Sequence, residues 1–361
     1  MADDGWGGRD HGSVPKAGEA LTPGWLSAAL APGGAVAGVA VEPVGQGVGL
    51  LGALHRVDLA WVDGRDAPAS VVVKQPSPGE RSRQVGLALG MYRNEVLFYR
   101  HLGANTPLAI GSHHAAIDDE TGDFVLLLED MTACETVDQI EGCPPDRAAA
   151  IVRALADHHA GYWAGAGLAP HGWLRRVDDA DFVGALAGAF AAAWPAIRDR
   201  HRDDLPAGVL DVGDRFPRLL PGLAAQLAAD PVTLSHGDVR LDNIFFAPGG
   251  RVTLCDWQLA DRSRGCRDVA YFLSQSLRPE DRAEHERPLL ADYRGRLADR
   301  GIDYPEDVAW RDYRVATLFT FAYPVVAGAG LDLDDRSTRL TDVILDRSVS
   351  ALVDLDCLTL G

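Results

Sequence analysis

Lysine is nearly missing from this chain: of 34 basic residues only Lys16 and Lys74 are lysine, and the rest are arginine. A bias toward Arg, Ala and Gly, of the kind a GC-rich genome imposes, accounts for the shortage. It also gives Lys74, closing the run Val71-Val72-Val73-Lys74, a specific reason to be there, because a wide planar guanidinium does not fill the space of a compact ammonium on a flexible stem. Positive charge as a whole is scarce. The formal net charge of −18 excludes sequence-independent nucleic-acid binding, which needs a basic surface to displace counterions. The acidity is spread evenly, −7 over residues 1–130 and −11 over 131–361, so it marks no single region as a cation site and reads as a solubility feature.

Two further shortages narrow the class. The five cysteines are odd in number, scattered and nowhere in a CxxC arrangement, which fits reduced thiols rather than a disulfide frame or a zinc site. No uninterrupted apolar run approaches the roughly 20 residues of a membrane helix. The N-terminal MADDGWGGRDHG is acidic and Gly-rich, unlike a secretory or transit peptide. These features set the expectation of a cytoplasmic protein, monomer or homodimer, with no membrane and no nucleic-acid partner. There is no internal repeat and no long low-complexity linker.

The pattern that is present divides in two. Residues 1–20 lack periodicity and read as a loose tail. From about Val36 to Asp130 strands dominate: VAGVAV, the alternating Arg56 to Trp61, Val71-Val72-Val73, and Phe124 to Leu128. One long helix over RSRQVGLALGMYRNEVLFYRHL interrupts them. After Met131, Ala- and Leu-rich helical spacing takes over, as in PDRAAAIVRALADHHAGYWA and DFVGALAGAFAAAWPAIRDR. The expected fold is α+β and bilobal: a small antiparallel-sheet lobe over 21–130 and a larger, mainly helical lobe over 131–361.

The chemistry concentrates between Leu234 and Phe272. Ile244-Phe245-Phe246 and Val252-Thr253-Leu254-Cys255 flank the turn residues Ala247-Pro248-Gly249-Gly250-Arg251. A hairpin centred on Gly249 and Gly250 pairs 246 with 253, 245 with 254 and 244 with 255, and so sets Asn243 opposite Asp256, about 5 Å away across the ladder. An amide oxygen and a carboxylate converging in this way suit Mg²⁺, which takes its remaining ligands from water and phosphate. Asp238, on the loop entering the hairpin, is positioned to accept the proton of an attacking hydroxyl.

His236-Gly237-Asp238 followed by Asn243, then Asp256-Trp257-Gln258, resembles the HGDxxxxN and metal-Asp signature of the aminoglycoside phosphotransferase and choline kinase superfamily. Its nearest branch is the ecdysteroid-kinase-like bacterial small-molecule phosphotransferases. Glu95-Val96-Leu97-Phe98-Tyr99, Leu127-Leu128-Glu129-Asp130-Met131 and His159-Ala160 before Trp163 extend the likeness over roughly residues 40–350. The intervals of 5 and 18 residues are also those of the catalytic loop and DFG of protein kinases. The resemblance implies a protein-kinase-like fold using ATP and Mg²⁺. It assigns Lys74 to the ATP phosphates, Glu95 to pairing with Lys74, and the backbone of Glu129 and Met131 to adenine. It makes His236 a brace of the catalytic loop and Asp268 its support from behind. Trp257 and Gln258 stand where protein kinases have Phe and Gly, so no flipping switch is implied.

Gly47-Val48-Gly49-Leu50-Leu51-Gly52 matches GxGxxG, but ALHRVDLAWVDG follows with strand alternation where a dinucleotide fold needs a helix. Gly47 and Gly49 therefore read as a glycine-rich hairpin over the ATP phosphates. His113, His114, His158 and His159 read as packing rather than metal ligands, and Asp332, Asp334 and Asp335 as a solvated acidic loop. The expected function is transfer of the ATP γ-phosphate to a hydroxyl of a small organic molecule. The acceptor could be an antibiotic or natural product, in resistance or self-resistance, or a metabolic amino alcohol, sugar or sterol-like compound. A nucleotide-binding pseudokinase is the rival; it would normally lack one of Lys74, Asp238, Asn243 or Asp256, and all four are here.

Overall fold

The computed structural model describes residues 14–16, 21–30, 34–44, 52–63, 67–330 and 333–360. Its N-terminal part is α1 (Pro23–Ala29), β1 (Val36–Pro43), β2 (Gly52–Trp61), β3 (Ser70–Pro76), α2 (Glu80–Ala88), α3 (Met91–His101), β4 (Ser112–Ile117) and β5 (Phe124–Glu129). The five strands form one antiparallel sheet in the order β1-β2-β3-β5-β4. The runs Val71-Val72-Val73 and Phe124 to Leu128 are continuously apolar because this sheet is covered on both faces. Val71, Val73, Val125 and Leu127 pack with Leu26 and Leu30 on the α1 side. Phe124, Leu126 and Leu128 pack with Val96 and Phe98 of α3 on the other.

The single long helix expected over residues 81–102 is two helices. Gly90 takes a left-handed conformation, φ 63°, between α2 and α3. Only glycine adopts that at no steric cost, so the chain turns there and re-enters helix at Met91. Gly86 supports the same break, since a Cβ on it would lie 2.6 Å from the ring of Tyr92. Helix α1 and strand β4 were not foreseen. The first had a legible signal: Thr22 caps the Trp25 N–H through Oγ1 at 3.2 Å, with Pro23 opening the helix.

The remainder is mainly helical: α4 (Pro145–Gly161), α5 (Ala180–Arg200), α6 (Ala207–Leu227), α7 (Cys266–Ser276), α8 (Pro279–Ala298), α9 (Glu306–Thr320), α10 (Ala322–Gly330) and α11 (Asp335–Asp354). Short strands β6 (Thr233–Ser235) and β9 (Asp261–Ser263) pair with each other, as do β7 (Ile244–Phe246) and β8 (Val252–Leu254). Helix α5 is long and apolar enough by composition to cross a membrane. Here it lies against α6 and α10 with Leu186, Phe190 and Ile197 in the core. The division into an antiparallel sheet and a larger helical region is the α+β architecture expected.

Candidate active site

The β7–β8 hairpin differs by one residue from the pairing read off the sequence. Ile244 faces Leu254, Phe245 faces Thr253 and Phe246 faces Val252. Ala247 N–H donates to Arg251 O at 2.9 Å, leaving a three-residue tip, Pro248-Gly249-Gly250, in which both glycines have positive φ. An odd tip moves the register. Asn243 consequently faces Cys255, whose N–H donates to Asn243 O at 3.0 Å, and not Asp256. Asp256 follows in the left-handed region, φ 64°. Even so, Asn243 and Asp256 border the same cavity, of about 570 Å³.

Helix α3 holds the segment carrying Asp256. Asn94 Nδ2 donates to Gln258 O at 3.0 Å and to Ala260 O at 2.8 Å. Phe98, four residues on and so on the same helix face, stacks on the fully buried Trp257 indole, centroids 4.2 Å apart and planes 4° apart. Between them in sequence, Glu95 reaches Lys74. The Lys74 ammonium, on β3, lies 2.9 and 2.8 Å from the two Glu95 oxygens and 3.0 Å from Asp256 Oδ1. Burial alone would lower the lysine, but the Asp256 and Glu95 carboxylates hold it above its ordinary value. Burial pushes Glu95 up to about 7, against the pull of Lys74 and with the repulsion of Asp256 added.

Leu54, Val72, Ile110, Leu128 and Met131 give the cavity apolar walls, while Lys74, Glu95, Asn243 and Asp256 give it a polar end. Its volume suits a nucleotide-sized ligand. Glu129, the exposed last residue of β5, and the buried Met131 both border it; Glu129 Oε2 accepts from the Gly111 N–H at 3.2 Å. Between them Asp130 accepts from Arg56 Nε (2.7 Å), Ser70 Oγ (2.6 Å) and Thr132 Oγ1 (2.6 Å), which ties the exit of β5 to β2 and β3. Gly47 and Gly49 lie outside the described residues.

The loop bearing Asp238 hangs on Asp268, in the first turn of α7. This carboxylate accepts from the His236 N–H (2.7 Å), the Gly237 N–H (2.9 Å) and His159 Nε2 (3.1 Å), and His159 Nδ1 in turn accepts from the Tyr293 hydroxyl at 2.9 Å. Burial favours a neutral Asp268, but the His159 hydrogen bond and the nearby His159, Arg267 and His236 hold it well below the usual carboxylate range. Gly237 has φ 84°, and a Cβ there would lie 2.4 Å from Leu259 O, so the middle residue of the motif has to be glycine. His236 Nε2 donates to Cys255 O at 2.8 Å and its Nδ1 accepts from the Asp238 N–H at 3.1 Å. With burial also holding the imidazole below its ordinary value, both ring nitrogens are engaged in bracing the loop. His158, likewise, is held by a 2.9 Å contact from Nε2 to Leu234 O.

Asp238 receives Tyr271 Oη on Oδ1 at 2.7 Å and Asn243 Nδ2 on Oδ2 at 3.1 Å. Asn243 Nδ2 also donates to Asp238 O at 2.9 Å, so the Asn243 amide oxygen is the end left for other chemistry. Arg240 Nε lies 3.6 Å from Asp238 Oδ2, and Arg240 Nη1 3.5 Å from Asp242. Sequence reasoning missed Tyr271 and Arg240. Tyr271 had a signal: it follows Asp268 by three residues in α7 and so shares the face turned to the loop. Among the described residues no cluster of three or more His, Cys, Asp or Glu could hold a metal ion. The Asn243 amide oxygen and the Asp256 carboxylate, both at the same cavity, are hard oxygen donors of the type that Mg²⁺ takes alongside water and phosphate.

A sequence model of the ecdysteroid kinase-like family matches residues 181–302. No curated protein matches the chain by sequence. Among solved structures, a choline kinase from Cryptosporidium parvum shares the fold with a TM-score of 0.53 at 11% identity, over 89% of this chain and 88% of that one. The choline kinase LicA from Streptococcus pneumoniae gives 0.50 at 16% identity over 87% and 93%. An ethanolamine kinase from Plasmodium vivax gives 0.51 at 12% over 86% and 82%. The fold is the protein-kinase-like one, and the family match agrees with the resemblance carried by the HGD motif.

Proposed function

We propose that this chain, protein-kinase-like in fold and matched in part by the ecdysteroid kinase-like family, is an ATP-dependent O-phosphotransferase acting on a small organic molecule. One observation carries the reading: Lys74, Glu95 and Asp256 meet Asn243 around one nucleotide-sized cavity, and Asn243 also holds Asp238. Residues 21–130 form the nucleotide lobe in this reading and 131–361 the catalytic and acceptor lobe. Adenine lies between the apolar walls, against the backbone of Glu129 and Met131, and Lys74 offsets the phosphate charge. Asn243 Oδ1 and Asp256 would hold Mg²⁺, which would supply neutralisation of phosphate charge.

Asp238 orients the acceptor hydroxyl and takes its proton as the acceptor oxygen bonds to the γ-phosphorus. The bond from that phosphorus to the β–γ bridging oxygen breaks, and ADP leaves. The reading covers modification of an antibiotic or natural product as well as phosphorylation of an amino alcohol, sugar or sterol-like metabolite. The complete set Lys74, Asp238, Asn243 and Asp256 argues against a pseudokinase.

The test is Asp238→Asn assayed with ATP, Mg²⁺ and pools of hydroxylated compounds, product being read by mass. Transfer should be abolished while nucleotide binding, followed by calorimetry, persists. An Asp238→Asn protein that still phosphorylates the acceptor would sink the mechanism.

A further inference from the structure

Asp238 borders a second cavity, of about 90 Å³, which Lys74 does not reach. Arg240 lines both cavities, so they meet at the catalytic loop. The walls of the second one come from elements far apart in sequence: Val85 of α2, Met91 of α3, Phe182 and Leu186 of α5, and Leu340 and Ile344 of α11. Among the described residues its charged lining is Asp238 and Arg240, which offset each other.

The polar groups in the lining are mostly committed. Tyr271 donates to Asp238, Tyr323 Oη accepts from Arg267 at 3.0 Å, and Thr341 Oγ1 donates to Thr338 O at 2.9 Å. The Phe182 ring already carries the Arg175 guanidinium, 3.9 Å from its centroid. Asp334 caps α11, accepting from the Ser337 N–H at 2.8 Å, and does not line the cavity; Asp332 lies outside the described residues. Oε1 of Gln258 and of Gln275 is buried and meets no donor among the described residues.

We infer that the acceptor is an uncharged, largely apolar alcohol, with its reacting hydroxyl at Asp238 and an aliphatic or alicyclic segment against Leu186, Leu340 and Ile344. The inference rests on the phosphotransferase reading. An ammonium or quaternary ammonium entering here would give up its hydration for walls that, among the described residues, offer no carboxylate beyond Asp238, itself engaged by Tyr271, Asn243 and Arg240. A neutral alcohol has no such charge to desolvate. The overall charge of −18 attracts cations to the surface, but among the described residues no acid other than Asp238 lines this pocket.

The experiment uses the full chain with ATP and Mg²⁺, offering cyclohexanol, 2-phenylethanol and geraniol against choline, ethanolamine and kanamycin, with kcat/KM taken from phosphorylated product. The uncharged alcohols should exceed the cations at least tenfold. Leu340→Glu, which places an acid in the wall, should shrink that ratio at least tenfold, and Leu340→Met should keep it. Equal use or preference for the cations overturns the acceptor assignment and leaves the phosphotransferase reading standing. ADP release that depends on Asp238 but transfers to none of the alcohols does the same. Absence of any Asp238-dependent ATP turnover overturns both.

Discussion

The Tyr271 hydroxyl donates to Asp238 Oδ1 at 2.7 Å and fixes the carboxylate from the side opposite its second donor, Asn243, which binds Oδ2. Tyr271 does not border the larger cavity, proposed above to take the nucleotide. A hydrogen bond to a charged group contributes about 1.5–3 kcal/mol, or roughly ten- to a hundredfold in rate if all of it orients the base. Tyr271→Phe should therefore lower kcat by about tenfold or more with the KM for ATP unchanged. Steady-state kinetics check this, and an unaltered kcat would remove Tyr271 from the positioning of Asp238.

Arg240 offers a second split. It lines both cavities, and in the proposed phosphotransferase reading it would meet the phosphoryl group passing between them. Removing one such charge-stabilising donor costs about 10²–10³ in rate at comparable sites. Arg240→Met should lose about a hundredfold in kcat, and Arg240→Lys should recover part of it by restoring the charge. A change confined to KM would contradict this role.

Glu95 makes stability depend on pH in a defined direction. Its ordinary value is 4.5 and burial raises it to about 7 in the fold, with Lys74 opposing and Asp256 reinforcing the shift. The contribution of the neutral acid is thus fully present below 4.5 and is lost as pH rises through about 7. The Tm of the nucleotide-free protein, relative to Glu95→Gln, should fall between those limits. A difference in Tm that is flat across pH 4.5–7 would refute the assignment.

Trp257 tests how the Asp256 segment is held. Its buried indole stacks on Phe98 and donates from Nε1 to Leu254 O at 3.2 Å. Trp257→Ala should cost about 3–5 kcal/mol of stability by denaturant unfolding. Trp257→Phe keeps the stacking, loses the hydrogen bond, and should cost less. Equal costs would mean that packing against Phe98 contributes little.

What could be read from the sequence was local. The Val71-Val72-Val73 run announced a strand buried on both faces, and the scarcity of lysine singled out Lys74. The spacing of Asp238, Asn243 and Asp256 pointed to a phosphotransferase signature, and the Pro248-Gly249-Gly250 turn to a hairpin. Periodicity and turn chemistry are carried by neighbouring residues, so they survive in one dimension.

Tertiary structure decided the rest, wherever an answer depended on what a residue meets. A three-residue tip set the β7–β8 register and placed Asn243 across from Cys255. Gly90, with Gly86 against Tyr92, divided one helical pattern into α2 and α3. Asp256 faces the larger cavity because Asn94 and Phe98 anchor the residues after it. The second cavity exists only where α2, α3, α5 and α11 come together, and its apolar walls are spread over some 260 residues of chain. The sequence by itself determined the motif and the strands that bring it together; long-range packing decided the shape and charge of the pocket beside Asp238, because no local pattern encodes which distant side chains share a wall.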